Sequence, residues 1–268
     1  MHKLPLYKFL IKSDVASRRK CAQAIKDGKV KVNGRSVKTP LFSVDLEKDT
    51  VSLENNVVDI RNILEKDFVY YLLNKPRAYI CTVKDTHNRK TILDLVKEKK
   101  RIYPVGRLDK DTEGLLLLTN DGELTYRLTH PKFEIDKVYK AVVTPRIKNR
   151  DIKKLRSGLI IDKDKKVQAK VRLIKPACPP RRACPAGRPA CQADRDYRNN
   201  NQSKVELIIH QGIKRQIKKM FAVLDYKVME LERIQLGPLT LANLEKGAYR
   251  KLTKKEIKLL KKVVGITK

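Results

Sequence analysis

Two aspartates, Asp109 and Asp111, stand in a short loop that opens onto four consecutive leucines, Leu115 to Leu118. Glycines punctuate the stretch: Gly106 before the aspartates, Gly114 ahead of the leucines, and Gly122 after an Asn120-Asp121 turn signal. An unbroken apolar run bounded by turn residues reads as a strand buried on both faces. A carboxylate at its mouth can be held, oriented and partly desolvated, which is the setting in which an aspartate does chemistry. The same residues also suit ordinary turn chemistry, with Asp bonding its own backbone. Spacing alone leaves both open.

The flanking sequence supplies the elements that must position this loop. Phe68 to Leu73 reads as a strand halted by Asn74-Lys75-Pro76. Thr91 to Lys99, with Ile92, Leu95 and Val96 on one face, reads as a short helix. After the leucine strand, Glu123 to Leu128 reads as a helix ending before His130-Pro131. Lys137 to Val143 alternates, placing Tyr139, Ala141 and Val143 on one face of a strand. Ile152 to Ile161 reads as a helix and a turn through Gly158, and Val167 to Ile174 as a further strand. Val205 to His210 alternates again, and Gln211-Gly212 leads into a helix from Ile213 to Leu224. That helix buries Ile217, Met220, Phe221 and Leu224 and crowds Lys214, Arg215, Lys218 and Lys219 on its other side. Thr253 leads into a basic terminal helix.

The first 60 residues have a different character. Leu6, Phe9 and Leu10 share a helical face, and Ser17 suits the N-cap of a second helix, Arg18 to Lys26, stopped by Gly28. Val30 and Val32 alternate with lysines ahead of Asn33-Gly34, a strong hairpin signal. Arg18, Arg19, Lys20, Lys26, Lys29, Lys31 and Arg35 gather on this module, as a phosphate-binding face or a merely solvated one. Polar composition puts a boundary near residues 59–66. The expected organisation is a module at 1–60, a linker at 61–66 and a larger domain at 67–268.

Composition narrows the partners. The 268 residues hold 62 Lys and Arg against 30 Asp and Glu, a formal net charge of +32. Such a surplus points to a polyanion, with nucleic acid first. No basic amphipathic helix with aromatic anchors is evident and Trp is absent, so a membrane surface is not expected. Met1 to Pro5 begins no apolar run, so a cytoplasmic protein is expected. Five cysteines do not make a disulfide framework. Residues 176–203 form a Cys-, Pro- and Arg-rich insert, expected to be mobile. Its Cys178, Cys184 and Cys191 lack Cys-x-x-Cys spacing and a nearby His, so no metal is expected. The sequence has neither a Gly-Lys phosphate loop nor a dinucleotide fingerprint, and no cofactor is expected.

The seventeen positions from Gly106 to Gly122 closely resemble the Gly-Arg-Leu-Asp motif of the pseudouridine synthases, in the RsuA/RluB branch that modifies ribosomal RNA. Leu73-Asn74-Lys75-Pro76, Lys137-x-Tyr139-x-Ala141-x-Val143, Gly212-x-x-Arg215-Gln216-Ile217-Lys218 and Leu231 to Leu241 resemble further family segments. Val15 to Arg19 and Val30 to Gly34 resemble the small RNA-binding module named after ribosomal protein S4. The resemblance implies an α+β fold, with that module followed by a mixed, mainly antiparallel sheet flanked by helices. It implies Asp109 as nucleophile, Tyr139 stacked on the target base and active in proton transfer, and Lys218 paired with Asp109. It implies Arg107 as the side chain that fills the stack vacated by a flipped uridine. RNA contacts fall to Arg18, Arg19, Lys20, Lys29, Lys31, Arg35, Lys214 and Arg215. Three features depart from the family: the Cys/Pro insert, Lys218 where many relatives carry Arg, and Ile213 where a basic residue is usual. The activity implied is isomerisation of a uridine to pseudouridine in ribosomal RNA, the large subunit preferred, by a monomer acting on RNA or a pre-ribosomal particle. The rival class is a non-catalytic RNA-binding or ribosome-assembly protein, which would explain the charge but not the intact motifs.

Overall fold

A computed structural model describes residues 3–59, 67–83, 85–174 and 201–266, which divide into two compact units, Met1–Phe68 and Val69–Lys268. In the first unit β1 (Lys3–Pro5) runs into α1 (Leu6–Lys12), and α2 (Arg18–Lys26) follows. Ser17 caps α2 by accepting a hydrogen bond from the Lys20 amide, and Gly28 beyond its end has φ +69°. Strands β2 (Val30–Val32) and β3 (Arg35–Ser36) form the hairpin across Asn33-Gly34, both with positive φ. β4 (Ser43–Asp45) pairs with β1, while β5 (Val51–Leu53) and β6 (Asn56–Val57) extend the hairpin sheet. Leu6, Phe9, Leu10, Cys21, Ile25, Val30 and Val32 fill the core between helices and strands.

The second unit is built on a nine-stranded sheet. Its strands are β7 (Tyr70–Lys75), β8 (Tyr103–Pro104), β9 (Glu113–Thr119), β10 (Lys137–Thr144), β13 (Lys170–Leu173), β14 (Ser203–Ile209), β15 (Lys227–Leu236), β16 (Leu239–Thr240) and β17 (Tyr249–Lys251). Between β10 and β13, β11 (Leu159–Ile161) and β12 (Lys165–Val167) form a separate pair. The helices are α3 (Gly122–Thr129), α4 (Asn149–Ser157), α5 (Gln216–Ala222) and α6 (Lys254–Val263). The main path runs β13-β14-β10-β15-β9-β7-β17, antiparallel throughout except where β15 and β9 run parallel.

The leucine run is β9, and it is buried on both sides. Leu116 and Leu118 pack with Tyr139, Ala141 and Val143, while Leu115 and Leu117 pack with Leu124, Leu128, Leu252 and Leu260. Period-2 alternation thus splits one apolar run between two cores. Asp121 caps α3 through the Leu124 amide, which explains why the helix begins at the turn.

Several expected elements are corrected. Thr91 to Lys99 yields only one 3-10 turn, Ile92–Leu95, held by a Thr91/Asp94 capping box. Beyond it the Lys97 amide donates to the Tyr249 hydroxyl at 3.3 Å and the Lys100 amide to the Glu98 carboxylate at 2.9 Å, bonds made in place of another helical turn. The helix expected from Ile213 begins only at Gln216, because Arg215 is left-handed at φ 56°. Val167 to Ile174 breaks into β12 and β13, and β7 continues through Asn74 and Lys75 to stop at Pro76. Of the insert expected at 176–203, residues 176–200 lie outside the described residues, and its end is corrected, since Ser203 already opens β14.

Gly114 is required where the parallel strands meet. Its φ is +102°, and a Cβ there would lie 2.3 Å from the Arg233 carbonyl oxygen and 2.8 Å from its amide nitrogen. Backbone cannot yield as a flexible side chain can. Gly114→Ala is expected to destabilise the protein by about 3 kcal/mol or more, read by chemical denaturation; a loss below about 1 kcal/mol would contradict this strain.

Candidate active site

The loop between β8 and β9 carries Asp109 to the wall of a cleft of about 440 Å³. Buried and backbone groups fix its shape. Lys75, at the end of β7, is fully enclosed, and its ammonium donates to the carbonyls of Pro76 at 3.0 Å, Lys110 at 3.3 Å and Thr112 at 2.8 Å. From the other side the Leu108 amide donates to the Cys81 sulfur at 3.4 Å, and the Ala78 amide donates to the Lys110 carbonyl. Burial pushes the Lys75 ammonium below its ordinary range, against the pull of Cys81, Asp111, Glu113 and Asp109. An all-donor ammonium satisfied by carbonyls can remain in such a place; a neutral chain could not tie them together.

Asp109 is half-buried, and among the described residues nothing hydrogen-bonds its carboxylate. The expected pairing with Lys218 is corrected here. Lys218, on α5, gives its ammonium to Asp111 instead and does not line the cleft. The two aspartates lie two residues apart around a turn, where the Thr112 amide donates to the Asp109 carbonyl, and the loop presents Asp111 to the helix. Partial burial pushes the Asp111 carboxyl up, but the Lys218 ammonium, helped by Arg215, holds it below its usual value.

Tyr139 is buried on β10 and lines the same cleft as Asp109. Arg107 is exposed and lines both this cleft and an adjoining open groove shared with Thr125 and Thr129. Lys214 and Arg215 reach the cleft from the loop before α5. That loop replaces the first expected turn of the helix. Arg18, Arg19, Lys20, Lys29, Lys31 and Arg35 are all exposed on the first unit; Lys29 is bonded to Glu54 at 3.0 Å, and Lys31 to the Asn55 side chain at 3.1 Å.

Three contributors were not singled out by sequence. Lys75 acts through carbonyls, which side-chain patterns do not display. Arg233 on β15 is the cross-strand neighbour of Tyr139, and its Nε donates to the Leu115 carbonyl at 2.7 Å. Lys137 lies two residues before Tyr139 and therefore on its face, so alternation alone could have found it. Its ammonium donates to the carbonyls of His210 at 2.6 Å and Ile135 at 3.2 Å. Burial, with the Arg233 guanidinium beside it, brings Lys137 down to about 8 against the pull of Asp136. Four cleft residues, Thr112, Gln211, Gln216 and Arg233, each hold a buried polar atom with no partner. Orphan atoms gathered in one cleft mark the place of a polar guest.

Cations at the rim and an unneutralised carboxylate within define an enzyme for a polyanionic substrate. Residues 69–223 match the RNA pseudouridylate synthase family and residues 4–51 the S4 domain. The chain belongs to the RNA pseudouridine synthases and carries an S4 domain at its N-terminal end. It is 37% identical over 257 residues to ribosomal large subunit pseudouridine synthase B of Bacillus subtilis, covering 96% of this chain and 95% of that one. It is 34% identical over 268 residues to an uncharacterized RNA pseudouridine synthase of Aquifex aeolicus, covering 99% and 97%. A crystal structure of a pseudouridylate synthase superposes with a TM-score of 0.63 at 27% identity, covering 96% of this chain and 99% of that one.

Two outcomes follow from this geometry. Lys75→Met frees the loop and should slow turnover about 100-fold while RNA binding persists, since small displacements of reacting groups carry that penalty; turnover within twofold of wild type would show the loop holds without the ammonium. Lys137 has a folded pKa below its unfolded value of 10.5, so the unfolded chain binds more protons between about pH 8 and 10.5 and stability rises with pH across that window. Lys137→Met removes this dependence. Its stability relative to wild type should fall by about 2 kcal/mol between pH 8 and 10, measured by urea denaturation, whereas a constant difference would contradict a depressed Lys137.

Proposed function

We propose that this protein converts a uridine of large-subunit ribosomal RNA to pseudouridine, as a cytoplasmic monomer acting on RNA or a pre-ribosomal particle. The observation that carries the reading is that the unpaired Asp109 carboxylate and Tyr139 line one cleft, with the cations Arg107, Lys214 and Arg215. Similarity over nearly the whole chain to the Bacillus subtilis large-subunit enzyme supports the choice of RNA. Among the described residues no helix is long and apolar enough to cross a membrane.

In this reading residues 1–60 bind RNA, 61–66 join them to the rest, and 67–268 carry out the isomerisation. Arg18, Arg19, Lys20, Lys29, Lys31 and Arg35 meet phosphates on the first module, and Lys214 and Arg215 at the cleft. A paired uridine is inaccessible, so it is extruded into the cleft, and Arg107 fills the gap it leaves. Tyr139 stacks on the extruded base, orients it and assists proton movement. Asp109 is the nucleophile: its carboxylate attacks the anomeric carbon as the glycosidic bond breaks. The freed uracil anion turns, its carbon five bonds the anomeric carbon and displaces Asp109, the proton on carbon five leaves and nitrogen one takes up a proton. The net change is an isomerisation, with nothing oxidised or reduced. Lys218 is a positioning residue: it fixes Asp111 and through it the loop.

Tritium release from RNA labelled at uracil carbon five tests this directly. Wild-type protein should release tritium from unmodified large-subunit RNA, and Asp109→Ala should release none while binding the RNA equally well. A wild-type protein that binds RNA but releases no tritium would instead be a non-catalytic RNA binder.

A further inference from the structure

Arg233 is 2% exposed, yet only its Nε has a hydrogen-bond partner. Among the described residues neither terminal nitrogen bonds anything, and Nη2 is wholly enclosed. Beside it lies Lys137, also buried, whose two bonded carbonyls leave one N–H over. Among the described residues no carboxylate forms an ion pair with either cation; Asp136, whose charge pulls on Lys137, is paired with His210 at 3.0 Å. Both side chains line the cleft, Arg233 across the strands from Tyr139 and Lys137 along the same strand face. Two neighbouring buried cations without a counter-charge destabilise a fold. A ligand that is negative when bound would relieve them.

We infer that Arg233, backed by Lys137, holds the uracil ring as the glycosidic bond breaks and carries the negative charge that then develops on it. The inference rests on the cleft being the uridine site. When the bond between C1′ and N1 breaks, its electron pair goes to N1 and spreads to O2 and O4. That holds whether an Asp109 oxygen bonds C1′ or the C2′ proton is lost to leave a C1′–C2′ double bond. In the first case C5 of the ring then attacks C1′ and displaces Asp109; in the second Asp109 takes the C2′ proton and returns it as C5 bonds C1′. In both the C5 proton leaves to solvent and N1 takes up a proton. The charge exists only after bond breaking begins, so a fixed guanidinium at O2 or O4 favours the transition state over bound uridine. Backbone phosphates have exposed partners in Arg107, Lys214 and Arg215 and no need of a buried one.

The test compares uridine with 5-fluorouridine at the target position, because fluorine stabilises the departing ring anion unaided. Single-turnover loss of the target nucleoside is followed by chromatography, alongside RNA binding. Arg233→Gln should slow loss of uridine about 100-fold at unchanged RNA affinity, and slow loss of 5-fluorouridine by a clearly smaller factor. Arg233→Lys, which keeps the charge, should fall between Gln and wild type. Both RNAs meet the same protein sample, so any unfolded fraction cancels in the ratio. Equal slowing with both nucleosides, or no slowing, overturns the inference while leaving the isomerase reading intact. A wild-type protein that binds both RNAs and consumes neither nucleoside overturns that reading, and the inference with it.

Discussion

The chemistry of this protein hangs on an ammonium that never meets solvent. Lys75 sits at the end of a strand, in the interior, and spends its charge on three backbone carbonyls, two of them flanking Asp111 in the loop that carries Asp109. Such a tie has consequences that a carboxylate partner would not give. A salt bridge would fix one side chain, whereas bonds to carbonyls fix the course of the chain itself. The loop is therefore shaped before any substrate arrives, and Asp109 is free to leave its own carboxylate uncommitted. Preorganisation of this sort shifts the energetic burden from the moment of reaction to folding.

The sheet makes that arrangement possible. β9 must be buried on both faces to present the loop beside a dry interior, and alternation divides its leucines between two cores. The neighbouring β15 runs parallel to it and approaches so closely at Gly114 that any side chain there would strike the Arg233 backbone. The same approach brings the Arg233 side chain under the cleft, where its Nε finds the Leu115 carbonyl. One close contact between two strands thus sets both the carboxylate loop and the cation opposite it.

Much of this could be read from the sequence, for physical reasons that differ by element. The leucine run, the Ser17 cap and the Asn33-Gly34 hairpin are local signals, and local signals survive in a linear chain. The helix expected from Ile213 was only half legible: its buried stripe was correct, but residues 211–215 line the cleft as loop, which periodicity does not encode. Lys75 and Arg233 were not legible as contributors at all. Apart from the adjacent Pro76, their partners stand 35 to 118 positions away, and all are carbonyl oxygens, identical in every residue. Tyr139 and Asp109 were named by resemblance and both line the cleft, and alternation would have led from Tyr139 to Lys137.

Lys218 shows where motif reading reaches its limit. The motif places a cation on α5 near an aspartate, and the structure does supply an ion pair, but with Asp111. Two carboxylates separated by one residue are equivalent to a pattern and opposite in a folded loop. The difference matters chemically. An ammonium paired with a carboxylate occupies its oxygens, so committing the helix cation to Asp111 leaves the Asp109 carboxylate without an ion-pair partner among the described residues. The two buried cleft cations, Arg233 and Lys137, are the ones proposed to meet the departing base. Positive charge thus anchors the loop at two points, Lys75 on its carbonyls and Lys218 on Asp111, and the Asp109 carboxylate is left open to the cleft.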